Sequence, residues 1–366
     1  MKYILCFLMI FFIPLQTHAL QDEETFNSSG LCTILMDMDS KRILFAENIH
    51  TVRSVASISK IMTAIVAIES GKLEDIVTIG DEINTSYGSG IYIQKDEQLK
   101  LIDLVYGLML RSGNDAALAI AHYVGGSIEQ FVQLMNEKAI EIGMKNSTFH
   151  NPSGLDEEKG NLSTAYDMAL LTSYAMKNET YQKIVSTKKY ILKTNKNTYV
   201  WHNKNRLLSS YKYATGGKTG FTEIARRTLV TTASKDNLNL VVVTLNDGND
   251  FLDHQNLFEE AFSIFTNYRI LKKGNIEIYE ENYYPNYTFT IEKDFFYPLK
   301  KEEEGNIYLK FQIEQKKIME DKEEIGTVSV YLGDEQLHQQ PIYITAQETI
   351  KKGFFEKIIE WFQQLW

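Results

Sequence analysis

Three short runs in this chain carry groups that together could transfer an acyl unit: Ser57-Ile58-Ser59-Lys60, Ser112-Gly113-Asn114 and Lys218-Thr219-Gly220. A serine hydroxyl needs a base, and Lys60 follows Ser57 by three residues, one helical turn away on the same face. Desolvation lowers the pKa of an ammonium, so a buried lysine can take the hydroxyl proton. A serine at the start of a helix also faces unbonded N–H groups and the positive end of the helix dipole, which favour negative charge near its oxygen. Ser112 and Asn114, read as a turn between two helices, offer a hydroxyl that can relay a proton and an amide that can position a peptide. Lys218-Thr219-Gly220 reads as the start of a strand. Its lysine and threonine suit a substrate carboxylate, and its glycine permits close backbone approach. The backbone N–H groups of Ser57 and Phe221 complete an expected oxyanion hole, typically worth ~3–4 kcal/mol per donor.

The first run alone is weak evidence, because Ser186-Thr187-Lys188-Lys189 and Ser209-Ser210-Tyr211-Lys212 share its spacing. Ser57 stands apart by opening a long apolar segment, Ser57 to Glu69, ahead of the other two runs. Apolarity on all sides predicts a helix buried inside a domain, ended by Gly71.

Elements that would position these residues are legible on both sides. Leu31 to Met38 and Arg42 to Phe45 read as strands joined at Asp39-Ser40-Lys41. Helices fit Leu101 to Leu110, Asp115 to Val124, Ile128 to Ile142 and Thr164 to Ala175. Leu229 to Ala233 and Leu238 to Leu245 are strand-like, and Glu259 to Tyr268 reads as a helix. Strands at both ends with helices between predict an α/β (α+β) fold, a sheet packed by helices with a helical subdomain. Beyond Lys272-Lys273-Gly274, the alternating segments Tyr287 to Ile291, Ile307 to Ile313, Gly326 to Leu332 and Pro341 to Ile344 predict a small all-β domain. The charge run Lys300 to Glu304 reads as a solvated loop.

The two ends differ from the rest. Lys2, the apolar stretch Tyr3 to Pro14 and Thr17-His18-Ala19 form the pattern of an export signal over residues 1–19, too short to span a bilayer. Residues 350–366 place Phe354, Phe355, Ile358, Phe362, Leu365 and Trp366 at helical spacing beside Lys351, Lys352 and Lys357, which predicts an amphipathic helix lying on a membrane surface. The expected division is therefore a signal at 1–19, a catalytic domain at 20–270, a β-domain at 271–349 and an anchor helix at 350–366. The location that follows is outside the cytoplasm, against a membrane surface.

A net charge of −10, from 48 acidic and 38 basic residues, argues against a nucleic-acid partner. Cys32 would be the only cysteine left after the signal, and its apolar neighbours mark it as a small buried hydrophobe. His122, on a predicted helix with apolar neighbours, reads as a core histidine. Asp247-Gly248-Asn249-Asp250 reads as a plain turn. No metal or other cofactor is implied.

Order and context turn the three runs into one signature. With Ala56 to Ala64, Met109 to Ala117, Gly217 to Thr222, Asn151 to Asp156 and Ser163 to Ala169, the chain resembles the low-molecular-weight penicillin-binding proteins, the serine D-Ala-D-Ala carboxypeptidases. That resemblance implies a penicillin-binding/β-lactamase-like catalytic domain, a β-domain stalk and an anchored C-terminus. It also implies removal of the terminal D-alanine from peptidoglycan stem peptides, with β-lactam antibiotics as inhibitors. Catalytic roles would fall to Ser57, Lys60, Ser112 and Asn114, and substrate binding to Lys218, Thr219, Gly220 and Phe221. The chain departs from relatives in having Phe221 and Ser153 where histidine is frequent; Arg226 or Arg227 would help hold the carboxylate. Three other readings compete: a D,D-endopeptidase, a class A-like β-lactamase using Glu157 with Asn161, whose motif lacks its leucine at Gly160, and a non-catalytic penicillin-binding sensor.

Overall fold

The apolar strands flanking the helical block form the three inner strands of one antiparallel sheet. The computed structural model describes residues 26–156, 159–278, 283–285, 287–318 and 320–346. The expected export signal and terminal helix, like Glu157 and Glu158, lie outside the described residues. The sheet is built from β1 (Cys32–Asp37), β2 (Ile43–Glu47), β3 (Ala214–Thr222), β4 (Arg226–Lys235) and β5 (Leu238–Leu245), in the spatial order β2-β1-β5-β4-β3. Pairing of Cys32 with Leu245 and Asp37 with Leu240 brings the first strand against the last.

All six residues of β1 are buried because both faces of the sheet are covered. Leu35, Leu240 and Val242 pack with Leu257, Phe258 and Ala261 of the helix Asp250–Ile264. Ile34, Met36, Val241 and Val243 face the other way, into the larger core. Cys32 is fully buried there, as its neighbours predicted.

Between β2 and β3 the chain forms five main helices: α1 (Lys60–Glu69), α2 (Leu101–Arg111), α3 (Asn114–Gly125), α4 (Ile128–Ile142) and α5 (Ala165–Ala175). Every residue of α1 from Lys60 to Ile68 is buried, so this helix is the post around which the others stand. Ser127 and Thr164 cap α4 and α5 by accepting from Gln130 N and Asp167 N, a device worth about 1 kcal/mol each.

The β-domain sheet has the order Gly274–Ile276, Tyr287–Ile291, Glu335–Ala346, Glu323–Leu332 and Ile307–Ile313. Its core gathers Phe289, Ile291, Val328, Val330, Ile342 and Ile344. A two-stranded ribbon, Phe265–Leu271 with Phe295–Lys300, leads into it.

Four expectations need correction. The helix placed at Glu259 to Tyr268 runs from Asp250 to Ile264, and Phe265–Leu271 is a strand. Leu257, Phe258 and Ala261 set the helical face, while the β-favouring run from Phe265 gains a partner strand invisible from local pattern. The charge run at 300–304 is not simply solvated: Glu303 binds Arg42 through both oxygens (2.9 and 2.5 Å), and the Arg42 guanidinium lies over the rings of Phe265 and Tyr297. His122 is exposed on α3; the core histidine is His254, held between the hydroxyls of Thr231 (2.6 Å) and Thr244 (3.0 Å). Lys218-Thr219-Gly220 lies within β3 rather than at its start, because pairing with β4 already begins at Ala214.

Candidate active site

The α-helix expected from Ser57 begins at Lys60, and Ala56–Ser59 forms a single 3-10 turn before it. Ala56 enters this turn at φ +49°, a left-handed conformation that costs a non-glycine residue roughly 1–2 kcal/mol. The turn sets Ser57 where N–H groups at a helix start lack a preceding turn to bond.

Lys60 is fully buried. Its Nζ lies 3.1 Å from Ser57 Oγ and 2.6 Å from Asn114 Oδ1, and also meets the Ser153 carbonyl. The last two oxygens can only accept. A neutral amine has two N–H groups and one lone pair; the two oxygens occupy the N–H groups and leave the lone pair for the Ser57 hydroxyl. Burial, and then the charge of Lys204, pull the Lys60 pKa down to about 7 against an opposing pull from Asp115. Acylation by a β-lactam should therefore lose rate about tenfold per pH unit below about 7, as the neutral fraction of Lys60 falls. A stopped-flow acylation series across that range checks this; a rate flat down to pH about 5 would show that Lys60 is not the titrating base.

Ser112 ends α2 in a left-handed conformation, Gly113 caps α3, and Asn114 opens it. This sharp reversal directs Ser112 toward the sheet edge, where its Oγ meets Lys218 Nζ at 3.0 Å. Asn114 is committed at both ends, accepting from Lys60 and donating from Nδ2 to the Tyr87 carbonyl (2.6 Å). Lys218 is only 2% exposed and donates as well to the Thr219 carbonyl (2.7 Å). Burial, with Lys60 and Lys204 adding repulsion, holds its pKa well below the usual lysine range. Lys218 thus stands directly behind Ser112 at the edge of the sheet.

Gly220 also has a use inside the fold. A Cβ there would fall 2.4 Å from Thr228 Oγ1 and 3.0 Å from Ser57 N, so its smallness admits the backbone of the 3-10 turn. β3 is the outer strand of the sheet, and the cleft beside it encloses 400 Å³. Ser57, Ser112, Thr219 and Phe221 line it together with Lys204, Arg206 and Arg227. Arg227 pairs with Asp250 (2.6 Å), whereas Arg226 turns to exposed Glu223. Of the two arginines considered from sequence, only Arg227 borders the cleft.

Sequence reasoning missed Lys204 and Arg206, which sit in a short irregular stretch with no periodic signal. Two basic residues in a turn shortly before the Lys-Thr-Gly strand were the available cue. The sequence gives no sign that the loop at 151–161 turns a backbone carbonyl toward Lys60. Asn151 Oδ1 accepts from Ser153 N, Ser153 Oγ and Gly154 N, which shapes the turn that aims the Ser153 carbonyl at Lys60. Asn161 braces the same loop, accepting from His150 N and donating to Ser59 Oγ, so its amide is spent on structure. The two decoy runs have exposed lysines, Lys189 and Lys212, and exposed serines, Ser186 and Ser209.

A serine on a strained turn, a buried lysine aimed at it and an outer strand beside both define a serine acyl-transfer domain of the lysine-base class. Residues 19–249 match the family model of D-alanyl-D-alanine carboxypeptidases, and residues 265–352 match that of the penicillin-binding protein 5 C-terminal domain. The chain belongs to the D-alanyl-D-alanine carboxypeptidase family. It is 36% identical over 216 residues to D-alanyl-D-alanine carboxypeptidase DacF of Bacillus subtilis, covering 57% of this chain and 55% of that relative. DacA of Escherichia coli K12 is 27% identical over 357 residues, covering 90% of this chain and 85% of the relative. Penicillin-binding protein 5 from Haemophilus influenzae superposes with a TM-score of 0.73 at 26% identity, over 87% of this chain and 97% of that structure.

Proposed function

We propose that this chain is a penicillin-binding serine carboxypeptidase that removes the terminal D-alanine from peptidoglycan stem peptides. The observation that carries the reading is the pairing of Lys60 with Ser57, with the other Lys60 partners confined to acceptors. Lys60 takes the hydroxyl proton as Ser57 Oγ bonds to the carbonyl carbon between the two D-alanines. The backbone N–H groups of Ser57 and Phe221 stabilise the oxyanion. Collapse of the tetrahedral intermediate breaks the amide bond, and a proton delivered through Ser112, backed by Lys218, lets D-alanine leave as an amine. Water then cleaves the ester on Ser57. Thr219 and the cationic wall of Lys204, Arg206 and Arg227 match the carboxylate of the departing residue, and a β-lactam occupies the same place.

The division into a catalytic domain at 20–270 and a β-domain at 271–349 belongs to the same proposal, as do export by residues 1–19 and attachment by the amphipathic segment 350–366. Among the described residues no helix is long and apolar enough to cross a membrane. Support for export and surface attachment comes from the sequence patterns at the two ends and from a substrate that lies in the cell wall.

The test is release of D-alanine from a pentapeptide ending in D-Ala-D-Ala, with Ser57→Ala and a C-terminally amidated peptide as controls. Release by the unaltered protein alone, with the amidated peptide turned over poorly, is the expected result. A folded protein that forms a penicillin adduct but releases no D-alanine would overturn the carboxypeptidase reading.

A further inference from the structure

The geometry points to Asp156 as a positioning residue that fixes the gap between the two oxyanion donors. This rests on the reading of Ser57 as nucleophile and adds a residue that none of the three motifs contains. Asp156 Oδ1 accepts from Ser54 Oγ at 2.5 Å, and Oδ2 accepts from Thr222 Oγ1. Ser54 precedes Ser57 by three residues, on the two-residue strand Arg53–Ser54 that feeds the 3-10 turn. Thr222 is the last residue of β3 and follows Phe221 directly. One carboxylate therefore ties the segment bearing the Ser57 N–H to the strand bearing the Phe221 N–H.

Two further contacts show that this junction is built. Thr222 Oγ1 accepts from Ala225 N (3.0 Å), so the hydroxyl that Asp156 holds also pins the turn between β3 and β4. On the next strand, Thr228 Oγ1 donates to the Val55 carbonyl (3.0 Å), a second tie between the same walls. Asp156 also belongs to the loop whose Ser153 carbonyl holds Lys60. A carboxylate offers an acceptor to each hydroxyl at once, whereas an amide in its place offers a single acceptor oxygen. Oxyanion donors act through their preset distance to a developing charge, so slackening this tie should weaken transition-state binding more than substrate binding.

The experiment uses Asp156→Asn, with Thr222→Val and Ser54→Ala as milder variants that each cut one arm. Two affinities are read for each. One is for a peptidyl boronic acid, which forms a tetrahedral adduct on Ser57. The other is for the D-Ala-D-Ala pentapeptide, measured in a Ser57→Ala background. Boronate affinity and the β-lactam acylation rate should fall about tenfold or more in Asp156→Asn, with pentapeptide affinity within about twofold of the parent. Wild-type boronate affinity in all three variants overturns the inference, as does an equal loss of both affinities, which would mean general loosening. Failure of the unaltered protein to form any adduct at Ser57 would instead remove the nucleophile reading beneath it.

Discussion

Lys60→Ala should lower the rate of Ser57 acylation by about 10³-fold or more, since positioned general bases contribute roughly 10²–10⁴-fold and this one also orders its surroundings. The Lys60 amine is the group within hydrogen-bond reach of Ser57 Oγ that has a lone pair to offer; the Ser153 carbonyl at 3.5 Å is a poor base. Lys60→Arg is the informative companion. It keeps a cation near the serine, but a guanidinium stays protonated and cannot take the proton, so the loss should be as large. The measurement is time-resolved labelling by a β-lactam with folding checked by circular dichroism. Normal acylation in either variant would exclude the lysine base, and retained rate in Lys60→Arg alone would mean that charge, not proton transfer, is what the position supplies.

Gly154→Ala is expected to cost about 100-fold in acylation and roughly 2–4 kcal/mol of fold stability, although the residue carries no functional group. Gly154 has φ +77°, and an added Cβ would stand 2.1 Å from the Ala56 carbonyl and 2.5 Å from Ser59 Oγ. The carbonyl is backbone and cannot rotate aside. Relief requires the loop to lift, which withdraws the Ser153 carbonyl from Lys60, or the 3-10 turn to shift, which moves Ser57. Thermal unfolding together with acylation kinetics checks both halves of the expectation. Unchanged kinetics with a lowered melting temperature would show that loop and turn are not coupled to the nucleophile.

The sequence shows the three motifs because their residue types are rare at that spacing and their order is fixed. It shows α1 because the apolar run from Ile58 to Ile68 is broken only by Ser59, Lys60 and Thr63, and β5 because Leu238 to Leu245 is a short run rich in leucine and β-branched valine. Loop chemistry is what stays hidden. Lys204 meets Ser89, Arg206 lies over Phe251, and Asp156 binds Ser54 and Thr222, all distant in the chain, and no local pattern announces such pairings. The start of the last helix of the catalytic domain was missed because Asp247-Gly248-Asn249 reads as a turn and the polar first turn of the helix continues that impression. The strand at Phe265–Leu271 was read as helix because its partner, Phe295–Lys300, carries Pro298 and charged neighbours that disguise it.

The two buried lysines have a consequence for how folding and protons are linked. Lys60 has a pKa of about 7 in the folded protein against an ordinary 10.5, and Lys218 is shifted in the same direction. Between these values the unfolded chain holds a proton on Lys60 that the folded chain has given up, so folding releases protons and becomes more favourable as pH rises. Below about pH 7 Lys60 is charged in both states, and its full desolvation penalty weighs against the fold. The same alkaline drift that readies Lys60 to accept a proton therefore also relieves the molecule of a charge it can hardly house. An apolar residue of similar length at either position would be expected to give a sturdier protein with no chemistry, which places the cost of catalysis in the core itself.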